Sequence, residues 1–281
     1  MIKIIADTTC GLPLDVLKQA GIEVLPQIIT FGNETFRDDT EMDTESFLTK
    51  LRASKTLPGT AAPPPALYTP IFEQILAAGD TALVITPSTK VSGTFRSATI
   101  AASEFHTDKI HILDSHTIAG GLGSLVLAAH KWVNAGLTID ELKENVEEMA
   151  SRERLFFLAP TLEYLYRGGR IGAASKLFGT VLQIVPILTV KQGQVDTFDK
   201  VRTLKQAVRT IIDLTAEYCK DNPEPYLTVS QCDSEPLLSQ VIQELSAATG
   251  ISDIPKYTVP PAIVVHVGPG LIETSCFVAR S

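Results

Sequence analysis

Strand-like apolar runs and amphipathic helical runs alternate through the first half of the chain, and that order leaves few folds open. Strand patterns at residues 2–6, 24–31, 82–86 and 110–113 interleave with helical patterns at 14–20, 44–51, 66–78, 95–105 and 123–134. Such interleaving predicts a mostly parallel sheet covered by helices on both faces, an α/β/α domain. A helical pattern at 138–151, apolar at Ile139, Leu142, Val146 and Met149, bridges to a region of different rhythm. The expected domains are residues 1–152 and 153–281.

The second region reads as α+β. Its strand patterns fall at 155–158, 226–229, 257–259, 262–267 and 275–279, with a hairpin at 187–190 and 195–198 around Gly193. A short helix at 161–166 stops at Gly168-Gly169, and an apolar helix at 175–185 stops before Pro186. Long helices are expected at 203–218 and 237–248. This order predicts an antiparallel sheet with helices on one face.

Charge and cysteine content narrow the function. The net charge of −8 argues against nucleic acid as the main partner. Yet residues 164–209 carry eight basic side chains against two acidic ones, in a chain whose remainder is strongly acidic. Arg202, Lys205 and Arg209 recur there at helical spacing, along one helix face. This concentration suits an anionic ligand or partner. Four scattered cysteines without CxxC spacing point to reduced thiols in a cytoplasm. No HxH, HxxxH or HExxH pattern suggests a metal site, and no apolar run is long enough for stable membrane insertion. The start, Met1-Ile2-Lys3-Ile4, leads into a strand and not a signal peptide.

Several loops could hold an anion. Ser88-Thr89-Lys90-Val91-Ser92-Gly93-Thr94 joins a core strand to an amphipathic helix, where free N–H groups and the helix dipole favour negative charge. Ser92 reads equally as a plain helix cap. Thr60-Ala61-Ala62-Pro63-Pro64-Pro65 opens another helix, and its hydrogen bonding falls to the first three residues because proline supplies no donor. Either it is a stiff helix start, or Thr60 and Ser92 project from adjacent loops beyond the carboxyl ends of parallel strands, where open α/β sheets bind ligands. Asp7, after the first strand, braces these loops or acts as an acid. Asp114-Ser115-His116 is no catalytic triad, because consecutive residues diverge and no GxSxG elbow accompanies them. Arg170, in Arg167-Gly168-Gly169-Arg170, serves a helix end or reaches an anion. His266, before Val267-Gly268-Pro269-Gly270, is a satisfied polar group or a head-group contact.

In combination these segments resemble the DegV family of bacterial fatty-acid-binding proteins over nearly the whole chain. The match runs through Asp7–Pro13, Thr60–Pro63, Ser92–Ala98, Asp114-Ser115, Leu162–Ile171 and His266–Gly270, in that order. The resemblance implies an α/β/α N-terminal domain and an α+β C-terminal domain with a long-chain fatty acid between them. It implies a carboxylate held by Thr60 and Ser92 with the Gly93 N–H nearby, and Arg170, Arg202 and His266 as head-group or phosphate neighbours. It further implies no catalysis by the chain itself and no cofactor: a separate fatty acid kinase would phosphorylate the presented acid to acyl phosphate. Ala61, Pro64 and Ala119 stand where the family often has serine, and Glu273 where it has glycine.

Energetics favour a lipid over a short acid. Burying some fourteen methylenes at about 0.8 kcal/mol each gives roughly 11 kcal/mol gross, against association costs on the order of 4–15 kcal/mol. Phe95, Leu177, Phe178, Val181, Leu182 and Ile184 are candidate tunnel walls. The competing functions are an enzyme acting on a small phosphorylated metabolite through the same helix N-termini, and a lipid-sensing regulator.

Overall fold

The computed structural model describes residues 1–179 and 184–280. Its first part holds β1 (Ile2–Asp7), α1 (Leu14–Gln19), β2 (Glu23–Leu25), β3 (Ile28–Phe31), β4 (Glu34–Arg37), α2 (Thr44–Ala53), β5 (Gly59–Ala61) and α3 (Pro65–Ala77). There follow β6 (Thr81–Thr86), α4 (Thr94–Ala102), β7 (Ile110–Asp114), α5 (Ala119–Asn134) and α6 (Ile139–Ser151). The second part holds β8 (Glu153–Leu158), α7 (Glu163–Arg167), β9 (Val185–Lys191), β10 (Gln194–Val201), α8 (Leu204–Cys219) and β11 (Thr228–Cys232). It closes with α9 (Glu235–Thr249), β12 (Lys256–Thr258), α10 (Pro261–Val267) and β13 (Leu271–Phe277). No described helix is long and apolar enough to cross a membrane.

The expected parallel sheet is present, in the order β2-β1-β6-β7. Ile4, Ile5, Leu83, Val84 and Ile85 are buried on both of its faces, which is why β1 and β6 read as continuous apolar runs. The chain reverses direction across the sheet between β1 and β6, so the loops after Asp7 and Thr86 open a crevice at their carboxyl ends.

The second sheet has the order β10-β9-β8-β13-β11-β12 and is antiparallel except where β11 pairs with β12. Helices cover both faces, not the one expected. Ile272 and Cys276 of β13 pack under α8 and α9. The alternate residues Leu271, Glu273 and Ser275 face the other way, toward α5 and α10. Helix α5 is wedged between the two sheets, touching β1 on one side and β11 and β13 on the other.

Three further features depart from the sequence reading. The run 262–267 is not a strand but the buried helix α10. Its β-branched composition suits either state, while Pro261 at the first helical position and Gly268 at φ +78° bound a helix. The pattern at 24–31 breaks at Pro26 into β2 and β3, and β3 founds a third sheet, β4-β3-β5, too short to show in periodicity. The expected helix at 175–185 is a tight 3-10 turn over Gly172–Leu177, and β9 starts at Val185; residues 180–183 of that reading lie outside the described residues.

Candidate functional site

An apolar cavity lies between the six-stranded sheet and the loops beyond the carboxyl ends of the parallel strands. It leaves about 90 Å³ for the centres of water-sized spheres, several times the ~10–15 Å³ one water requires. Its floor crosses four neighbouring strands, through Val195 on β10, Val190 on β9, Leu155 and Phe157 on β8, and Leu271 and Glu273 on β13. Three strand spacings of ~4.8 Å make that floor roughly 14 Å across. Ala262, Ile263 and Val267 of α10 and Ile118 ahead of α5 enclose it further.

Thr60, Ser92, Gly93, Arg170 and His266 all reach this one cavity, together with Thr9 and Gln27. Arg202 does not: it is exposed just before α8, where its N–H bonds the Gln206 side chain. The proposed tunnel walls are also elsewhere. Leu177, Phe178 and Ile184 line a separate surface cleft with Pro160 and Leu162, Phe95 lines neither, and Val181 and Leu182 lie outside the described residues. The walls of this cavity come largely from alternate strand residues that sequence alone cannot tell from ordinary core.

Thr60 is not on a loop after a parallel strand, as expected. It sits on the edge strand β5, opposite Ile29 of β3, and this pairing aims it at α10. Thr60 Oγ1 lies 2.8 Å from His266 Nε2. The imidazole is mostly buried and its Nδ1 has no partner among the described residues. An orphaned lone pair is less costly than an orphaned N–H, so the bonding pattern assigns the proton to Nε2. His266 then donates to Thr60 and leaves the threonine hydroxyl free to donate elsewhere. Burial, and then the Arg170 charge, lower the histidine pKa to about 4, so the ring is neutral at physiological pH. Gly168 makes the approach possible, because a Cβ there would stand under 3.0 Å from Nδ1.

Ser92 and Gly93 head α4. Gly93 takes the cap position and no side chain caps the helix there. Ser92 Oγ accepts the Thr94 N–H at 3.3 Å and lies 3.0 Å from Thr94 Oγ1. Behind them Asp7 acts as the expected loop brace, in a buried network whose partners the sequence did not identify. The Asp7 carboxylate accepts Thr94 Oγ1 at 2.6 Å, Gln27 Nε2 at 2.7 Å and the Thr9 N–H at 2.9 Å. Asp7 thus braces the loops after β1, β2 and β6. Burial pushes its pKa up while those hydrogen bonds oppose the shift. Beside it, Asp38 accepts from Thr8 Oγ1 and the Gln27 N–H, and burial raises its pKa to about 7. Thr94 stood in the Ser88–Thr94 turn without a role of its own, and Gln27 lay inside the expected strand at 24–31.

Arg170 is half-buried, with Nε donating to Val91 O at 3.2 Å and Nη1 to Gly168 O at 2.6 Å. Its charge is therefore held over the Ser92 loop by the segment after α7. Asp114 pairs with exposed His116 and accepts from Thr89, away from the cavity. No described group of His, Cys, Asp or Glu has the arrangement of a metal site.

This arrangement, a three-sheet α/β protein with an apolar cavity that has polar groups along one wall, matches known proteins along nearly its whole length. The family model described as an uncharacterised protein of the DegV family matches residues 1–277. The chain belongs to the DegV family. A DegV domain-containing protein of Caldanaerobacter subterraneus is 31% identical over 268 residues, covering 95% of each chain. Among solved structures, a DegV family protein of Thermus thermophilus, described as fatty acid binding, superposes with a TM-score of 0.92 at 26% identity over 99% of both chains. DegV of Bacillus subtilis, described as a fatty acid binding protein, gives 0.89 at 28% identity over 98% of this chain and 99% of its own.

Proposed function

We propose that this chain binds a long-chain fatty acid in the cavity and presents its carboxylate to a separate fatty acid kinase, which converts it to acyl phosphate. The observation that carries this reading is the pairing of apolar strand walls with a free helix N-terminus and a histidine-braced hydroxyl. In the bound state Thr60 donates one hydrogen bond to the carboxylate. The Ser92 hydroxyl rotates from Thr94 to donate a second, and the Gly93 N–H adds the helix dipole. Arg170 supplies the nearest countercharge. The two fatty-acid-binding relatives support the ligand class.

The chemistry of Thr60 and His266 supports placing the phosphorylation on a partner. Thr60 and His266 resemble a nucleophile and base, but no described group bonds Nδ1 to orient the ring, and a histidine with a pKa near 4 is a weak base. Arg202 and Lys205, exposed beside each other, suit an anionic partner surface better than the ligand. We assign the domains to residues 1–152 and 153–281, with the ligand between them, and the protein to the cytoplasm.

A phosphorylated small metabolite fits less well, since strand side chains make most of the cavity apolar. Native mass spectrometry of the protein as purified separates the two. A long-chain acid adduct is expected; a phosphorylated, water-soluble ligand would overturn the fatty acid reading.

A further inference from the structure

At the β13 end of the cavity floor the apolar wall is interrupted by a carboxyl group. Glu273 is 4% exposed, lines the cavity, and stands between Phe157 of β8 and Ser230 of β11. Its Oε1 accepts the Gly120 N–H at 3.2 Å, in the first turn of α5. No other hydrogen bond reaches the carboxyl group among the described residues. The Thr228 hydroxyl on the same sheet face is buried and has no hydrogen-bond partner among the described residues.

Helix α5 is shaped around these groups. A Cβ at Gly120 would lie 2.6 Å from Thr228 Oγ1 and 2.9 Å from Glu273 Oε1, and a Cβ at Gly121 would fall inside the carboxyl group of Glu153. Glycine inside a helix is unfavourable, yet here two in succession make room for the carboxyl groups of half-buried Glu153 and buried Glu273. Glu153 accepts from Ser275 Oγ at 3.3 Å and is the titratable neighbour of Glu273. Burial first, and then the Glu153 charge, raise the Glu273 pKa to about 8, so its carboxyl is protonated at neutral pH and both donates and accepts.

We propose that Glu273 sets acyl selectivity, and that the preferred ligand is a fatty acid carrying a hydroxyl group on its chain where the chain passes Glu273. The inference rests on the fatty acid reading above. A plain alkyl chain lying against Glu273 seals off a carboxyl oxygen and leaves it unpaired, which is penalised. A chain hydroxyl accepts from the neutral carboxyl, or donates to it, and removes that penalty. Sites built to hydrogen-bond a ligand hydroxyl discriminate strongly against the analogue that lacks it.

The test is competition binding of stearic acid against a positional series of monohydroxystearic acids, on wild type, Glu273→Leu and Glu273→Gln. On wild type the best isomer should bind at least about tenfold more tightly than stearic acid. Glu273→Leu should abolish that preference while holding stearic acid at least as tightly, and Glu273→Gln should keep it. The wild-type series requires no variant to fold. Equal or weaker binding of every isomer by wild type, or a preference that survives Glu273→Leu, overturns the selectivity inference and leaves the fatty acid reading standing. Failure of stearic acid and every isomer to bind wild type overturns both.

Discussion

Replacing Gly168 with alanine tests the brace behind the proposed head-group site without substituting any residue assigned to the ligand. Gly168 sits at φ −74°, ψ −7°, a conformation alanine adopts freely. On backbone grounds alone the change would stabilise by about 0.4–1 kcal/mol. The new Cβ, however, would stand under 3.0 Å from His266 Nδ1 and 3.0 Å from the Tyr164 carbonyl oxygen. Nonbonded heavy atoms settle near ~3.5 Å, so the imidazole must withdraw by roughly 1 Å. That withdrawal breaks the 2.8 Å contact with Thr60. Overpacking of this kind costs about 1–3 kcal/mol, so the net expectation is a loss of up to about 2.6 kcal/mol in stability. Thr60 then no longer aims its proton at the carboxylate, and a charge-assisted bond of about 1.5–3 kcal/mol is weakened. At 1.4 kcal/mol per decade, affinity should fall on the order of tenfold. Calorimetric titration with palmitic acid, beside thermal unfolding of the same variant, reads both effects. Wild-type affinity together with wild-type stability would refute the claim that Gly168 seats His266 against Thr60.

Buried acids should make stability fall with rising pH. A native Glu273 that holds its proton up to about pH 8 binds more protons than its unfolded form above pH 4.5. It therefore subtracts about 1.4 kcal/mol per pH unit across that window; Glu273→Gln should remove this slope, most cleanly between pH 7 and 8, and an unchanged slope in urea unfolding would count against it. His266 acts in the opposite direction, since its pKa near 4 lies below the unfolded 6.5. Stability should be lost as pH falls from 6.5 to 4, and His266→Gln should reduce that loss. Purified protein with ATP and fatty acid should form no acyl phosphate until a fatty acid kinase is added; turnover by the chain alone, followed by phosphate-transfer assay, would contradict the carrier role. Arg202→Glu combined with Lys205→Glu should reduce kinase coupling, most at low salt, while leaving palmitic acid affinity nearly unchanged. Equal loss of both would make that face structural.

What could be read from the chain, and what could not, divides along physical lines. The parallel sheet was legible because β1 and β6 are apolar on both faces and lie between helical patterns. The placement of Ser92 and Gly93 at the head of a helix was legible because a strand, a hydroxyl-rich turn and a helix follow in order. Thr60 was recognised as a candidate but misplaced, since β5 is three residues long and its pairing with Ile29 depends on a distant strand. Helix α10 was hidden by an Ile-Val-Val core that suits a strand equally well, and with it the fact that His266 leaves a helix. Asp7, Gln27 and Thr94 come from three separate stretches of chain, and only the closed fold brings them within hydrogen-bond reach. Arg202 is the reverse case: its charge and spacing were visible, but the fold leaves it outside the cavity.

The central claim is that Thr60 and Ser92 hold the carboxylate of an acid whose chain fills the cavity over the six-stranded sheet. Titration of palmitic acid into wild type and into the Thr60→Ala, Ser92→Ala double variant, both shown folded by circular dichroism, tests it most directly. Wild type should bind one acid per chain, and the double variant should bind at least about a hundredfold more weakly, for two hydrogen bonds of about 1.5–3 kcal/mol each. Equal affinity in the two proteins would contradict it.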